Sequence, residues 1–416
     1  MTESLAATPS HPLGIKPSGN AYTSSSNSRG SLGSFAWLPD ELLIQVLEDL
    51  DAKDLIQTGS TCKALYAYAR FEDLWKPLFV GQNSISRLHD LTVDDFNASW
   101  ADKPFILTNP VKEWPVYQSW STDKLLEKYA DVVFRAEAVD WRLENYAQYM
   151  LDNEDESPLY LFDRSFVEKM KLRVGRENDG DYWPPECFGK DLFTVLGEQR
   201  PDSRWLIIGP ARSGSTFHKD PNATSAWNAV LKGAKYWIMF PSSEGFPPPP
   251  GVYVSEDQSE VTSPLSIAEW LLGFHEEARK TKGCLEGICH EGEVLHVPSG
   301  WWHLVVNLSG SIAITQNFVP RTHLKDALGF LRDKPDQISG FKKEVTNPYD
   351  MFVRRLGEDH PDLLDYALME LSKMKEAKKR KWDEVVHNDL NGTSEANGGG
   401  FSFGFTGEDD DDADIP

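Results

Sequence analysis

The sequence predicts an α+β protein whose main domain is a β-sandwich or a jelly roll, the latter also called a double-stranded β-helix. The first observation is a series of short apolar runs between residues 88 and 320, bounded by Gly, Pro or Asn, which is typical of a strand-rich domain. The second is helical periodicity on both sides of this region. The third is a hydrophobic fraction of 40% in 416 residues, enough for packed cores. Together they predict five parts: a disordered leader (1–35), a small helical domain (36–82), the jelly roll (88–320), C-terminal helices (321–386) and a disordered acidic tail (387–416).

The two ends of the chain have the composition of disordered segments. Residues 1–35 contain nine Ser and almost no apolar periodicity, so they bury too little surface to offset the entropy of ordering. After residue 387 the chain continues with three consecutive Gly and the run Asp409–Asp412, a composition that is flexible and self-repelling. We therefore expect neither end to carry catalysis.

Residues 36–82 are predicted to form about three short helices. The apolar positions that recur at helical spacing behind Pro39 are Leu42, Leu43, Val46 and Leu47. A second helix is predicted to continue through Ile56 and Cys62. The Leu-Pro-x-Glu-Leu start, the Asp-Leu pair that follows and the Leu-Trp end resemble an F-box, the family of adaptors that bind Skp1 in cullin ubiquitin ligases. The resemblance implies an Skp1-type partner at residues 37–79, and the alternative is a bundle that only caps the next domain.

The composition restricts the compartment and the partners. The net charge is −23, and residues 383–416 hold ten Asp or Glu and no Lys or Arg, which argues against a nucleic-acid surface and favours a basic protein substrate. No window approaches the ~18 apolar residues of a membrane span, and the N-terminus lacks a secretory signal. Four cysteines without a CxxC pair predict an intracellular protein. The basic run 373–381 favours the nucleus over the cytoplasm, unless it is only a solvated helix face.

The sharpest chemical signal is the tripeptide His218-Lys219-Asp220. Residues i and i+2 of a strand point to one face, so His218 and Asp220 can coordinate one ion while Lys219 points away. A third ligand is available in His303, where a turn enters a strand. Two His and one carboxylate with open positions suit non-haem Fe(II) with a chelating co-substrate and dioxygen. Zinc is the rival metal, since its catalytic sites use the same side chains.

A second group of polar residues belongs to strands of the same region. Lys235 opens the strand that follows the His-x-Asp segment, where a lone cation before an apolar run suggests an anchor for a carboxylate. Thr315 and Asn317 share one face of the alternating strand Ile312–Phe318. Together with the two His and the Asp, these residues would make the interior of the domain too polar to serve only as a packed core.

Three stretches resemble the JmjC branch of the Fe(II)/2-oxoglutarate oxygenases, over roughly residues 100–320. They are Gly209–Ser215, Thr224–Asn228, and Gly300–His303 continued through Ile314–Asn317. Within that branch they are similar to the subgroup of arginine demethylases and lysyl hydroxylases once called phosphatidylserine receptors. The nuclear enzyme of that subgroup has no F-box. The substrates of that enzyme are therefore not assumed for this chain.

The resemblance implies a role for each matching residue. The implied Fe(II) ligands are His218, Asp220 and His303. The implied co-substrate contacts are Lys235 and Thr315 for the distal carboxylate of 2-oxoglutarate, with Asn228 and Tyr160 as further contacts. Ser215 stands where the subgroup usually has Thr and keeps the hydroxyl, and Asn317 is placed with the co-substrate residues.

The function predicted from these residues is an Fe(II)- and 2-oxoglutarate-dependent dioxygenase that consumes O2 and hydroxylates a protein side chain, most simply Lys. Three alternatives stay open. One is an N-methyl demethylase of histones or other proteins, the second is a non-catalytic F-box substrate receptor, and the third is a zinc or manganese cupin. The complete set of predicted ligands favours catalysis, because a binding module has no need for all of them.

Overall fold

The computed structural model describes residues 28–50, 52–71, 74–75, 84–243, 245–255, 260–264 and 266–391. Most of the predicted leader and most of the acidic tail therefore lie outside the described residues, as do residues 76–82 of the predicted helical domain. The chain divides into two compact units, Met1–His360 and Pro361–Pro416. No described helix is both long enough and apolar enough to cross a membrane.

The first unit begins with a small helical bundle. Its elements are a 3-10 helix (Arg29–Phe35), α1 (Asp40–Glu48), α2 (Ala52–Gly59) and α3 (Lys63–Tyr68). Leu43 and Leu47 of α1 pack with Leu55 of α2 and Tyr68 of α3 in one apolar cluster. The bundle thus buries one stripe of each helix, as the spacing predicts.

Two local predictions for this bundle are wrong. The predicted second helix is divided, because α2 ends at Gly59 and Cys62 caps α3, its Sγ accepting a hydrogen bond from Leu65 N (3.4 Å). The hydroxyls of Ser60 and Thr61 donate to carbonyls of the preceding turn and so compete with further helix. The predicted leader is also too long, since its last seven residues form the 3-10 helix that Arg29 ties to Asp40.

The described part of the chain contains fifteen strands, all of them in residues 86–318. In chain order they are β1 (Ser86–Leu88), β2 (Phe105–Leu107), β3 (Val133–Ala136), β4 (Val139–Arg142), β5 (Leu161–Asp163), β6 (Arg204–Gly209), β7 (Gly214–His218), β8 (Ser225–Lys232), β9 (Ala234–Phe240), β10 (Tyr253–Val254), β11 (Val261–Thr262), β12 (Leu285–His290), β13 (Val294–Val297), β14 (Trp302–Asn307) and β15 (Ser311–Phe318).

The strands form two main sheets and one small hairpin. The larger sheet has the order β1-β2-β13-β8-β15-β6-β5-β3-β4, the smaller has the order β12-β9-β14-β7, and β10 pairs only with β11. Apolar side chains of both main sheets meet in one cluster that includes Val230 and Leu295 from the larger and Trp237 and Val305 from the smaller. Two sheets that share an interior in this way confirm the predicted α+β jelly roll.

Helices surround the sheets. They are α4 (Val93–Asp95), α5 (Pro115–Ser119), α6 (Thr122–Tyr129), α7 (Leu143–Leu151), α8 (Phe166–Met170), α9 (Ile267–Lys280), α10 (Leu324–Asp333) and α11 (Pro348–Asp359). A π-helix spans Phe96–Trp100, and short 3-10 segments lie at Arg176–Asn178, Glu186–Phe188, Leu192–Gln199, Pro221–Ala223, Arg321–His323 and Pro335–Gln337. The second unit contains α12 (Pro361–Asn391), whose N-terminal part carries the helical periodicity of the sequence.

Candidate metal and co-substrate site

The fold brings the three predicted metal ligands to one cavity. His218 ends β7, and His303 lies directly opposite it on β14, with 4.1 Å between the centres of their rings. Asp220 follows two residues after His218. All three line a cavity of about 260 Å³ between the two main sheets.

One detail of the tripeptide differs from its prediction. The strand ends at His218, so Asp220 lies beyond it, because Pro221 cannot continue the hydrogen-bonded ladder. The residue before a proline is still held in an extended conformation, and Asp220 has φ −62° and ψ 145°. The predicted alternation therefore survives, with Lys219 turned away and its Nζ 4.6 Å from the centre of the Trp302 ring.

Backbone carbonyls orient both imidazoles. Nδ1 of His218 donates to Thr216 O (2.8 Å), and Nδ1 of His303 donates to Trp301 O (3.0 Å). A neutral imidazole that donates from Nδ1 keeps its lone pair on Nε2, which is the arrangement of a metal-binding His. Burial lowers the pKa of His303 well below its ordinary value, so this ring is neutral at pH 7.

The carboxylate of Asp220 is held by one oxygen and unsatisfied at the other. Its Oδ1 accepts a hydrogen bond from Asn317 Nδ2 (3.2 Å), whereas its buried Oδ2 has no hydrogen-bond partner among the described residues. Burial raises the pKa of Asp220 to about 6. A buried carboxylate oxygen without a donor is costly unless a cation binds there.

These observations fit a divalent cation. Two imidazoles that donate from Nδ1, which leaves Nε2 to bind a metal, and one orphaned carboxylate oxygen are the donor set of the Fe(II) facial triad. Within the described ranges, no three His, Cys, Asp or Glu side chains already converge as a closed metal cluster. The assignment of these residues to a metal stays a prediction.

Lys235 lies beside this cavity rather than at a solvated strand end. Its side chain is fully buried, and its Nζ donates to Tyr160 Oη (2.7 Å) and to Asn307 Oδ1 (2.8 Å). Burial lowers the pKa of Lys235 to about 7. Tyr160 lines the cavity, and its hydroxyl accepts the hydrogen bond from Lys235, so the lysine is separated from the cavity by this one side chain. A buried ammonium that has no carboxylate partner among the described residues suits an anionic ligand.

The other predicted co-substrate residues line the same cavity. They are Thr315, Asn228, Ser215 and Asn317. Thr315 Oγ1 donates to Trp227 O (2.9 Å), so its hydroxyl must turn before it can donate to a carboxylate. Asn228 Oδ1 is buried and has no hydrogen-bond partner in the described part of the chain. Asn317 is occupied with Asp220 and with Thr224, which makes it a support for the predicted metal ligand.

Sequence reasoning missed two features of the site. One is Asn307, whose Oδ1 holds Lys235 and whose Nδ2 donates to Ser213 Oγ (2.9 Å). The other is an aromatic pair at the cavity, Phe162 and Trp205, stacked with 5.4 Å between ring centres. Asn307 ends an apolar strand, and only the pairing of β14 with β9 places it opposite Lys235.

Comparison with known proteins places this geometry in context. The family described as a cupin-like domain matches residues 97–323, and the family described as F-box-like matches residues 35–80. The chain is 35% identical to the Arabidopsis thaliana protein named arginine-specific demethylase JMJ22, over 91% of this chain and 87% of that protein. It is 32% identical to the Caenorhabditis elegans bifunctional arginine demethylase and lysyl-hydroxylase psr-1, over 68% of this chain and 71% of that protein. It is also 32% identical to the Danio rerio 2-oxoglutarate and iron-dependent oxygenase JMJD4, over 39% of this chain and 37% of that protein.

Proposed function

The chain belongs to the cupin-like JmjC oxygenases, and we propose that this Fe(II)- and 2-oxoglutarate-dependent dioxygenase hydroxylates a lysine side chain of a protein substrate. When bound, Fe(II) with O2 and 2-oxoglutarate supplies the oxidation: one oxygen atom leaves in succinate, beside carbon dioxide, and the other enters a C–H bond of the substrate. The protein binds and orients the reactants and excludes water.

The observation that carries the proposal is the single cavity lined by the predicted ligands and by the predicted co-substrate contacts other than Lys235, which lies behind Tyr160. His218, Asp220 and His303 would hold the iron through two Nε2 atoms and one carboxylate. Lys235 would pair with the distal carboxylate of 2-oxoglutarate, with its ammonium kept in place by Asn307. The walls between the sheets are apolar, which keeps bulk water from the reacting atoms.

The aromatic side chains of the cavity support an unmethylated target. Recognition of a methylated ammonium group requires several aromatic faces around one cation. Tyr160 is occupied by Lys235, and Trp237 lies against His303 with 6.0 Å between ring centres. The remaining pair, Phe162 and Trp205, is stacked face to face and does not enclose a cation.

The product distinguishes hydroxylation from demethylation. Hydroxylation of a side-chain methylene gives a stable alcohol, whereas hydroxylation of an N-methyl group gives a hemiaminal that releases formaldehyde. We expect mass spectrometry of basic peptides after turnover to show a gain of one oxygen on an unmethylated Lys, with succinate formed in step. Stoichiometric formaldehyde with loss of a methyl group and no retained oxygen would contradict lysine hydroxylation.

Arginine demethylation is the second candidate. It is favoured by the similarity to arginine-specific demethylase JMJ22, which extends over 91% of this chain. The same experiment tests it when methylated arginine peptides are included as substrates. Formaldehyde from these peptides, with unmodified lysine peptides, would select this candidate.

The F-box-like bundle is proposed to bind an Skp1-type adaptor. Five large apolar side chains of the bundle are exposed: Phe35, Trp37, Leu42, Val46 and Ile56. Leu42 and Val46 are four residues apart on α1 and therefore share one face. An exposed apolar face of this kind on a small bundle supports docking of a protein partner.

Leu42→Asp is expected to weaken Skp1 binding by about tenfold or more, because it places a charge in the apolar face. Leu42 is 45% exposed, so the bundle itself should remain folded. Titration of the full-length chain with purified Skp1 measures the effect. Thr61→Asp adds the same charge at an exposed polar position and serves as the matched control. Equal affinities of wild type and Leu42→Asp would favour a bundle that only caps the next domain.

A further inference from the structure

The turn between Asp220 and β8 has an unusual backbone. Asn222 and Ala223 both adopt left-handed conformations, with φ of 55° and 52°. L-residues other than Gly rarely visit this region, and Ala has no polar side chain to compensate for it. Two such residues in succession persist only where surrounding contacts hold them. The turn follows directly on a predicted metal ligand.

The side chain of Asn222 provides the main contact. It is buried, and its Nδ2 donates to Ser339 O (2.9 Å) while its Oδ1 accepts from Ser339 N (3.2 Å). The amide thus pairs with both backbone polar groups of one residue. Ser299, in the turn before His303, donates from Oγ to Ala223 O (2.7 Å) and holds the next residue.

The far end of the turn is linked to the carboxylate of Asp220. Thr224 donates to Pro221 O through both its backbone N (3.1 Å) and its Oγ1 (2.9 Å), which closes the turn. Asn317 Nδ2 lies between the two, 2.8 Å from Thr224 Oγ1 and 3.2 Å from Asp220 Oδ1. A displacement of the turn would therefore move both the backbone of Asp220 and the amide that orients its carboxylate.

The partner of Asn222 is itself fixed. Gly340 O, the next carbonyl after Ser339, accepts from Asp202 N (3.0 Å) in the loop before β6. The segment at Ser339 is thus held between the metal-ligand turn and that loop. It lies after the predicted end of the jelly roll at residue 320, in a region to which the sequence assigns only helices.

We propose that Asn222 is a positioning residue of the metal site, which holds the left-handed turn against Ser339 and so presents the carboxylate of Asp220 to the ion. This inference rests on the proposed metal site at His218, Asp220 and His303. It adds a segment after residue 320 to the elements that determine metal affinity. Asn222 itself touches neither metal nor substrate.

The test is the affinity of the full-length protein for Mn(II), a redox-stable probe for this site, measured by calorimetry without 2-oxoglutarate. Asn222→Gly introduces a residue that tolerates positive φ, and it removes the side-chain amide that pairs with Ser339. Because outer partners of metal ligands typically contribute ten- to hundredfold in affinity, we expect the Kd for Mn(II) to rise by about tenfold. Ser339→Ala is the matched control, since both hydrogen bonds use the backbone of Ser339, and its Kd should equal that of wild type.

Two further measurements separate positioning from a general structural role. At saturating Fe(II), Asn222→Gly should recover turnover and show an unchanged KM for 2-oxoglutarate. A lower melting temperature with an unchanged Kd for Mn(II) would overturn the proposal. If Asn222→Gly does not fold, Asn222→Asp keeps the shape and the acceptor but loses the donor, and a wild-type Kd in that variant would equally overturn it.

The outcome for Asp220→Ala separates this inference from the proposed function. If wild type binds Mn(II) no better than Asp220→Ala, the metal site itself is wrong, and the positioning role falls with it. If Asp220→Ala loses binding while Asn222→Gly keeps it, the metal site stands and only the role of Asn222 is wrong.

Discussion

Asp220→Ala is expected to abolish 2-oxoglutarate turnover while leaving the fold intact. The substitution removes the only carboxylate among the three predicted ligands, and two imidazoles alone leave the ion weakly held and wrongly charged. The fold should persist because Asp220 lies beyond the end of β7 and its Oδ2 has no hydrogen-bond partner among the described residues. Removal of an unsatisfied buried oxygen costs little stability in the metal-free protein.

Succinate formation with Fe(II), ascorbate and basic peptides measures the loss, and thermal unfolding of the metal-free protein checks the fold. Lys219→Ala is a suitable control, because this side chain lies between two predicted ligands and points to Trp302 instead of the cavity. It should retain turnover. Wild-type protein that consumes no more 2-oxoglutarate than Asp220→Ala would contradict catalysis and favour a non-catalytic F-box receptor.

The candidate site was predictable where its signal is local. In any extended segment, the His-x-Asp spacing places the two side chains on one face. The structure keeps His218 and Asp220 on one face even though β7 ends at His218. Asn307 could not be found in the same way. It follows two valines at the end of β14, and its contact with Lys235 depends on the register between two strands whose starts, Ala234 and Trp302, are 68 residues apart.

The same distinction applies to the fold. Strand β9 contains a continuous apolar run and β15 is an alternating strand, so both read as strands from sequence alone. Strand β7, Gly-Ser-Thr-Phe-His, has one large apolar side chain and no usable pattern. Its position is determined by pairing with β14, where a Cβ on Gly214 would lie 2.0 Å from Val305 O. Close backbone approach of this kind has no periodic signature in sequence.

The left-handed turn after Asp220 was also beyond sequence reasoning. Asn is a common residue in left-handed conformations, but Ala at the following position gives no such indication. The turn depends on Ser339, which is more than a hundred residues away along the chain. Long-range hydrogen bonds of this type decide the details of the site after the strands are in place.

Lys235→Ala is expected to raise the concentration of 2-oxoglutarate needed for half-maximal turnover by ten- to hundredfold, with a smaller effect on the maximal rate. The change removes one charge-assisted hydrogen bond to a carboxylate, a contribution of roughly 1.5 to 3 kcal/mol. Lys232→Ala is the matched control, since Lys232 pairs with Glu291 at the far end of β8 and should leave the requirement unchanged.

The pH dependence of 2-oxoglutarate binding gives an independent check of Lys235. Burial lowers the pKa of Lys235 to about 7, so the free protein loses the ammonium as the pH rises through 7. A bound carboxylate favours the ammonium and raises this pKa, so the complex holds a proton that the free protein has released. The affinity should therefore fall above pH 7, at a limiting slope of about tenfold per pH unit, and binding should take up protons.

Calorimetry with Mn(II) in place of Fe(II), in two buffers of different ionisation enthalpy, measures both the affinity and the proton uptake between pH 6.5 and 8.5. Lys235→Ala should show weak binding and should lose the part of the proton uptake that the lysine contributes. A wild-type affinity that stays constant over this range, together with a wild-type requirement in Lys235→Ala, would exclude Lys235 as the carboxylate anchor. The distal carboxylate would then have to be bound by Thr315 and other donors of the cavity, since the hydroxyl of Thr315 can turn from Trp227 O toward it.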